Sequence, residues 1–144
     1  MSDKIKIKDD YYIWNKGDNL WINNWFKTKE FECKCSNKEC VEQKIAVELV
    51  NRLTEIRDYT KSPMRVTSGY RCSKHQEEIR NSGTSTVVAK KSTHELGNAA
   101  DISVSSLTTL NLLPIVEKKF KSIGIANNFL HVDLRDDKAR RWKY

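Results

Sequence analysis

The 144-residue chain lacks any long apolar run, and a helix that spans a bilayer needs about 20 consecutive apolar residues. Its opening stretch, M-S-D-K-I-K-I-K-D-D, carries basic charge but no apolar segment, so no secretory signal is expected. Internal repeats and low-complexity linkers are missing, and the length suits one domain with a core of its own. The four cysteines include no C-x-x-C pair and no zinc-finger spacing. Lysine and arginine outnumber acids to give a net charge of +7, yet no basic cluster is interleaved with aromatics as a nucleic-acid surface would be. The charge suits either an anionic polymer partner or simple solubility. Histidine is scarce, with three in the whole chain.

Two of those three histidines fall in the most informative stretches, S-T-H-E-L-G-N-A-A-D and F-L-H-V-D. His94, Asp101 and His131 offer two imidazoles and a carboxylate, a three-ligand set suited to a catalytic zinc with one position left for water. His94 and Asp101 are seven residues apart, roughly 10 Å along a helix, which is too far for one ion bound at about 2 Å. The backbone must therefore turn between them, and Gly97 with Ala99 and Ala100 permits it. His94-Glu95 begins like the helical H-E-x-x-H motif, but Asn98 stands where the second histidine belongs, which excludes that motif. Alternation around His131 predicts a strand with Phe129, His131 and Asp133 on one face. Taken singly, His131 reads as an ordinary strand residue and Asp101 as a turn cap; together they read as a metal site.

V-T-S-G-Y-R at Val66–Arg71, S-x-H-x-x-G-x-A-x-D at Ser92–Asp101 and F-L-H-V-D follow in that order, with E-F-x-C at Glu30–Cys33 upstream. In this the chain resembles the zinc D-Ala-D-Ala carboxypeptidase and L-alanyl-D-glutamate endopeptidase family, which includes phage endolysins and shares its fold with the hedgehog signalling domain. The resemblance runs from about Phe26 to Trp142. It implies an α+β fold, a small antiparallel sheet with helices packed on it, and zinc held by His94, Asp101 and His131. It also implies a peptidoglycan stem peptide as substrate. Arg71 matches an arginine near the substrate, where a guanidinium suits a carboxylate or a polarised carbonyl; the alternative is a surface salt bridge. Ser92 matches a serine near substrate or ligand, or else is a turn serine bonded to local backbone. His75, where relatives often carry histidine, reads as structural.

The chain departs from the family at the proton carrier. The positions that often hold an acid or a histidine, three and two residues before the last ligand, are Asn128 and Phe129, and neither is a base. Asp133 is the best local substitute, with a carboxylate that orients His131 or Arg71 as its other reading. Cys33, Cys35, Cys40 and Cys72 have three open states: a second, structural zinc, one disulfide to Cys72, or buried free thiols, the last slightly favoured.

Residues 1–29 are expected to form an extension packed on the domain, and 30–144 the peptidase domain. Within it the pattern predicts a helix over 44–60, a strand at Met64–Ser68 and a short helix from His75 to Asn81. A polar loop to Lys91, a strand at Ala100–Val104, a helix from Leu110 to Lys121, a hairpin over 123–135 and a basic tail follow. Without a signal or a separate wall-binding domain, the expectation is a phage-type lysis enzyme, made in the cytoplasm and released by a partner, or a virion component. No nucleic-acid partner is expected. The rival is a non-catalytic zinc module of the same fold, a virion structural part or binding domain.

Overall fold

A computed structural model of the chain describes residues 4–73 and 92–144; the helix and loop expected between His75 and Lys91, and His75 itself, lie outside the described residues. Asp9 and Asp10 both take positive φ, the backbone of a two-residue hairpin turn that aspartate tolerates better than most side chains. They join β1 (Lys6–Lys8) to β2 (Tyr11–Asn15), and β2 pairs antiparallel with β3 (Glu42–Ala46). Residues before Phe31 thus build two strands of a three-stranded sheet, and Ile5, Trp14, Ile22 and Phe26 enter the main core.

Helix α1 (Val47–Thr60) follows β3 without a loop. The predicted helix started three residues too early, because Lys44, Ile45 and Ala46 belong to the strand. Ile45 fits both periods: it pairs with Tyr12 across the sheet and lies four residues before Leu49. Leu49, Val50, Leu53 and Ile56 form the buried stripe of α1. Lys61 closes the helix in the left-handed region, donating its N–H to the Arg57 carbonyl at 2.9 Å, and Pro63 prevents continuation.

The second sheet has five strands, β4 (Met64–Ser68), β5 (Ala99–Val104), β6 (Ser122–Ile125), β7 (Leu130–Asp133) and β8 (Arg140–Lys143), in the order β4-β5-β7-β6-β8. All neighbours are antiparallel except β6 and β8, which run parallel. β8 corrects the basic tail expected there: Arg140–Lys143 is a strand, with Trp142 paired to Gly124. Helix α2 covers Thr109–Val116, shorter than the predicted span, with the Thr108 hydroxyl accepting the Asn111 N–H. Pro114 lies beyond the first turn, contrary to expectation; the helix stops two residues later. The architecture is α+β, as expected.

One face of the five-stranded sheet feeds the core through Val66, Ala100, Ile102, Ile123, Leu130 and Val132. Strand alternation sends Asp101, His131 and Asp133 to the other face. β4 joins that face through a bulge between Val66 and Ser68. Val66 pairs with Ile102 on the core side, whereas Ser68 pairs with Asp101; the extra residue, Thr67, reverses the alternation and re-aims the strand end at the site.

Candidate metal centre

Asp101 and His131 are direct cross-strand partners on β5 and β7. His94 comes from a turn over residues 93–97, in which Gly97 takes φ +75° and its N–H bonds the His94 carbonyl at 3.1 Å. A side chain at Gly97 would also crowd the Lys44 backbone at 3.1 Å. That turn brings His94 back over Asp101, as the spacing required. The His94 Nε2, His131 Nδ1 and Asp101 Oδ1 atoms form a triangle with sides of 3.2, 3.2 and 3.1 Å. Bonds of about 2.0 Å in tetrahedral geometry put ligand atoms about 3.3 Å apart, so the three donors fit one zinc ion.

Each imidazole is fixed from behind. His94 Nδ1 lies 2.8 Å from the Gly69 carbonyl, which only accepts, so the proton is on Nδ1 and the Nε2 lone pair faces Asp101 and His131. His131 Nε2 donates to Asp133 Oδ2 at 2.8 Å, leaving its Nδ1 lone pair toward the same point. Three acceptors thus converge in a buried site, with His94, Asp101 and His131 all under 7% exposed. Such an arrangement calls for a cation or shared protons.

The ionisation states follow from this crowding. Burial holds the His94 pKa below its ordinary value, against the pull of Asp101. For His131 burial works the same way, but the Asp101 and Asp133 carboxylates outweigh it and raise the pKa. Burial opposes ionisation of Asp101, yet the pull of His94 and then of His131, whenever either imidazole carries a second proton, holds its pKa far below the usual carboxylate range.

Asp133 shares the sheet face of His131, as the alternation implied, and engages that ring from behind. It is fully buried and touches His131 on the edge away from the triangle. Arg135 encloses it: its Nε and backbone N–H reach Oδ1 at 2.9 and 3.1 Å, and Nη2 reaches Oδ2 at 2.9 Å. Burial disfavours its charge, but the His131 and Arg135 bonds overcome this and keep its pKa far below the usual range. Arg71 is beside the triangle: Nη2 lies 3.4 Å from Asp101 Oδ2, Nε donates to Ser68 Oγ at 3.0 Å, and its backbone N–H donates to the His94 carbonyl. The Ser92 hydroxyl accepts the His94 N–H at 3.1 Å, a bond to local backbone.

Three contributors escaped the sequence reading. The Gly69 carbonyl is a backbone atom with no signature in composition. Arg135 is two residues past Asp133, close enough to have been noticed as its counter-ion. Trp142 lies with its ring 5.2 Å from that of His131 and 5.6 Å from the Arg135 guanidinium. Gly124 makes room for it, since a Cβ there would meet the indole at 2.6 Å.

The cysteines gather in a separate cluster, Cys33, Cys35 and Cys40 buried and Cys72 half-buried, packed with Tyr70. No disulfide joins them: the Cys72 sulfur lies 3.7 Å from that of Cys33 and 3.6 Å from that of Cys35, well beyond a disulfide bond. Burial pushes the Cys33 thiol up to about 12. Burial also opposes ionisation of Cys35, but the Asn37 N–H and the neighbouring thiols bring it down to about 7.

Among the described residues no helix is long and apolar enough to cross a membrane. No individual curated protein matches the chain. A family model described as Peptidase M15 matches residues 24–133, a span that contains the metal triangle, Arg71 and all four cysteines. M15 peptidases are zinc-dependent, in keeping with the donor set found here. On that match over most of its length, the chain belongs to the peptidase M15 family.

Proposed function

We propose that the protein is a zinc-dependent peptidase that hydrolyses peptide bonds in peptidoglycan stem peptides, of D-Ala-D-Ala carboxypeptidase or L-Ala-D-Glu endopeptidase type, in phage-type cell-wall lysis. The observation that carries this reading is the triangle of three converging acceptors, sized for one zinc and supplying three ligands where a closed structural site would have four. Zinc bound there supplies Lewis-acid polarisation of a carbonyl and acidifies water. The chain's own residues do the rest. Gly69 and Asp133 fix the tautomers and ring angles of His94 and His131. Arg71 has a planar fork of donors beside Asp101 and is the residue we assign to a peptide carboxylate or the scissile carbonyl. Hydrolysis consumes one water, whose oxygen bonds the carbonyl carbon as the C–N bond breaks and a proton reaches the departing amine. We assign Asp133 as a positioning residue for His131 rather than the proton carrier, because both of its oxygens are engaged.

Purified peptidoglycan incubated with the zinc-loaded protein is expected to yield new amino termini or free D-Ala by mass spectrometry. Chelation and His131→Ala should each abolish the release. If zinc-loaded protein releases nothing from several wall chemotypes, the reading gives way to the non-catalytic zinc module, to which the engagement of Asp133 already lends some support.

A further inference from the structure

We propose that Cys33, Cys35, Cys40 and Cys72 bind a second zinc ion in a closed, four-thiolate structural site. The four sulfurs all lie within 4.8 Å of one another. The Cys72 sulfur is 3.7 Å from that of Cys33 and 3.6 Å from that of Cys35, while a tetrahedron with zinc–sulfur bonds of about 2.3 Å has edges of about 3.8 Å. Cys72 favours neither neighbour, whereas a disulfide would single one out at about 2.05 Å. Cysteines that merely fill space behave as small apolar side chains and join the core. These four stand apart from it in a group of their own.

The surroundings suit thiolates. The fully buried Gln43 points its amide Nε2 at the Cys40 sulfur at 3.3 Å, and its Oε1 is fixed by the Cys33 N–H at 2.7 Å. The Cys72 N–H points at the Cys33 sulfur at 3.4 Å, and Lys16 Nζ approaches the Cys35 sulfur at 3.7 Å. Four thiolates around Zn²⁺ carry a net charge of −2, which the lysine and the N–H donors offset. Binding is a proton exchange, four thiols and one Zn²⁺ giving the tetrathiolate and four protons, and needs no oxidant.

Cys33, Cys35 and Cys40 lie between a 3-10 turn at Thr28–Phe31 and β3, while Cys72 lies beyond β4. An ion joining them would clamp the segment that carries Gly69 and Arg71, the one orienting His94 and the other flanking Asp101. The site would thus be structural in itself and hold the catalytic face from behind. It does not depend on peptidase activity.

The test loads the full-length chain with cobalt under reducing conditions. Wild type is expected to take up two cobalt ions and His131→Ala one, with thiolate-to-cobalt charge-transfer absorption in both. Cys40→Ser combined with Cys72→Ser should lose one ion and those bands. Should that double variant fail to fold, His131→Ala decides alone. Absence of metal or of thiolate bands in His131→Ala would overturn the proposal, as would an unreduced chain lighter by two hydrogens.

Discussion

The two clusters of ligand-type side chains in this molecule differ in what holds them. Asp101 and His131 sit on paired strands, and His94 on a turn whose ring is pinned by the Gly69 carbonyl. The ladder of β5 and β7 fixes their spacing before any ion arrives. The four cysteines come from irregular segments on either side of β3, α1 and β4. Their geometry rests on a few N–H···S contacts and on whatever binds them. Three donors held by a sheet and a pinned turn would leave room for chemistry, whereas four soft donors on loops would close on themselves and act as a staple. If this contrast is right, losing the first cluster costs function and losing the second costs the fold.

The largest effects test that contrast directly. His94→Ala should reduce peptide release to the level of the enzyme-free control while barely moving the thermal midpoint. Cys35→Ser should lower the midpoint by more than about 10 °C, since structural zinc is worth on the order of 10 kcal/mol in small domains. Calorimetry of both variants checks the pair, and the reverse pattern would break the comparison. Next comes Asp133→Asn. An orienting carboxylate predicts a roughly 10–100-fold loss in both zinc affinity and kcat/KM. A proton carrier predicts unchanged zinc affinity and a pH profile without its acidic limb, so a competitive chelator titration beside the kinetics separates the two.

Arg71→Lys keeps the charge but loses the fork. It should lower kcat/KM by roughly 10–100-fold, matching about 1.5–3 kcal/mol for a charged hydrogen bond, mainly through KM. The smallest effect is in pH. In the metal-free protein the His131 pKa is raised, so on acidification a proton takes the ligand nitrogen and must leave before zinc binds. Zinc affinity at the triangle should fall by up to about tenfold per pH unit as pH drops through that raised value. Asp101, ionised well below its usual range, adds no slope there. The thiols, with Cys33 at about 12, should give a steeper slope that persists above neutrality. Chelator competition across pH for each site measures both.

Legibility in the sequence followed range along the chain. The β6–β7 hairpin and β4 were readable because their signals are local: alternation, Pro63 and the turn between strands. The β3–α1 junction was not, because Ile45 satisfies a period of two and of four at once. β8 was missed because a basic, half-exposed strand at a sheet edge looks like a tail until its parallel partner β6 is known. The bulge at Thr67 was equally hidden. Nothing in V-T-S announces that Ser68 will face Asp101 rather than the core.

What the sequence presented by itself was a candidate ligand set, His94, Asp101 and His131, and the need for a turn between the first two. His94 and Asp101 can meet only if the chain turns between them, a constraint of helix rise and bond length, and Gly97 permits the turn. The tertiary structure decided where each remaining group sits. Asp133 became the partner of His131 because Arg135 and burial engage both its oxygens, and four cysteines without a recognisable spacing became one cluster because β4 carries Cys72 back to the loop before β3. The cysteine cluster depends on contacts across tens of residues, and the burial of Asp133 on the packing of the sheet around it; residue order alone encodes neither.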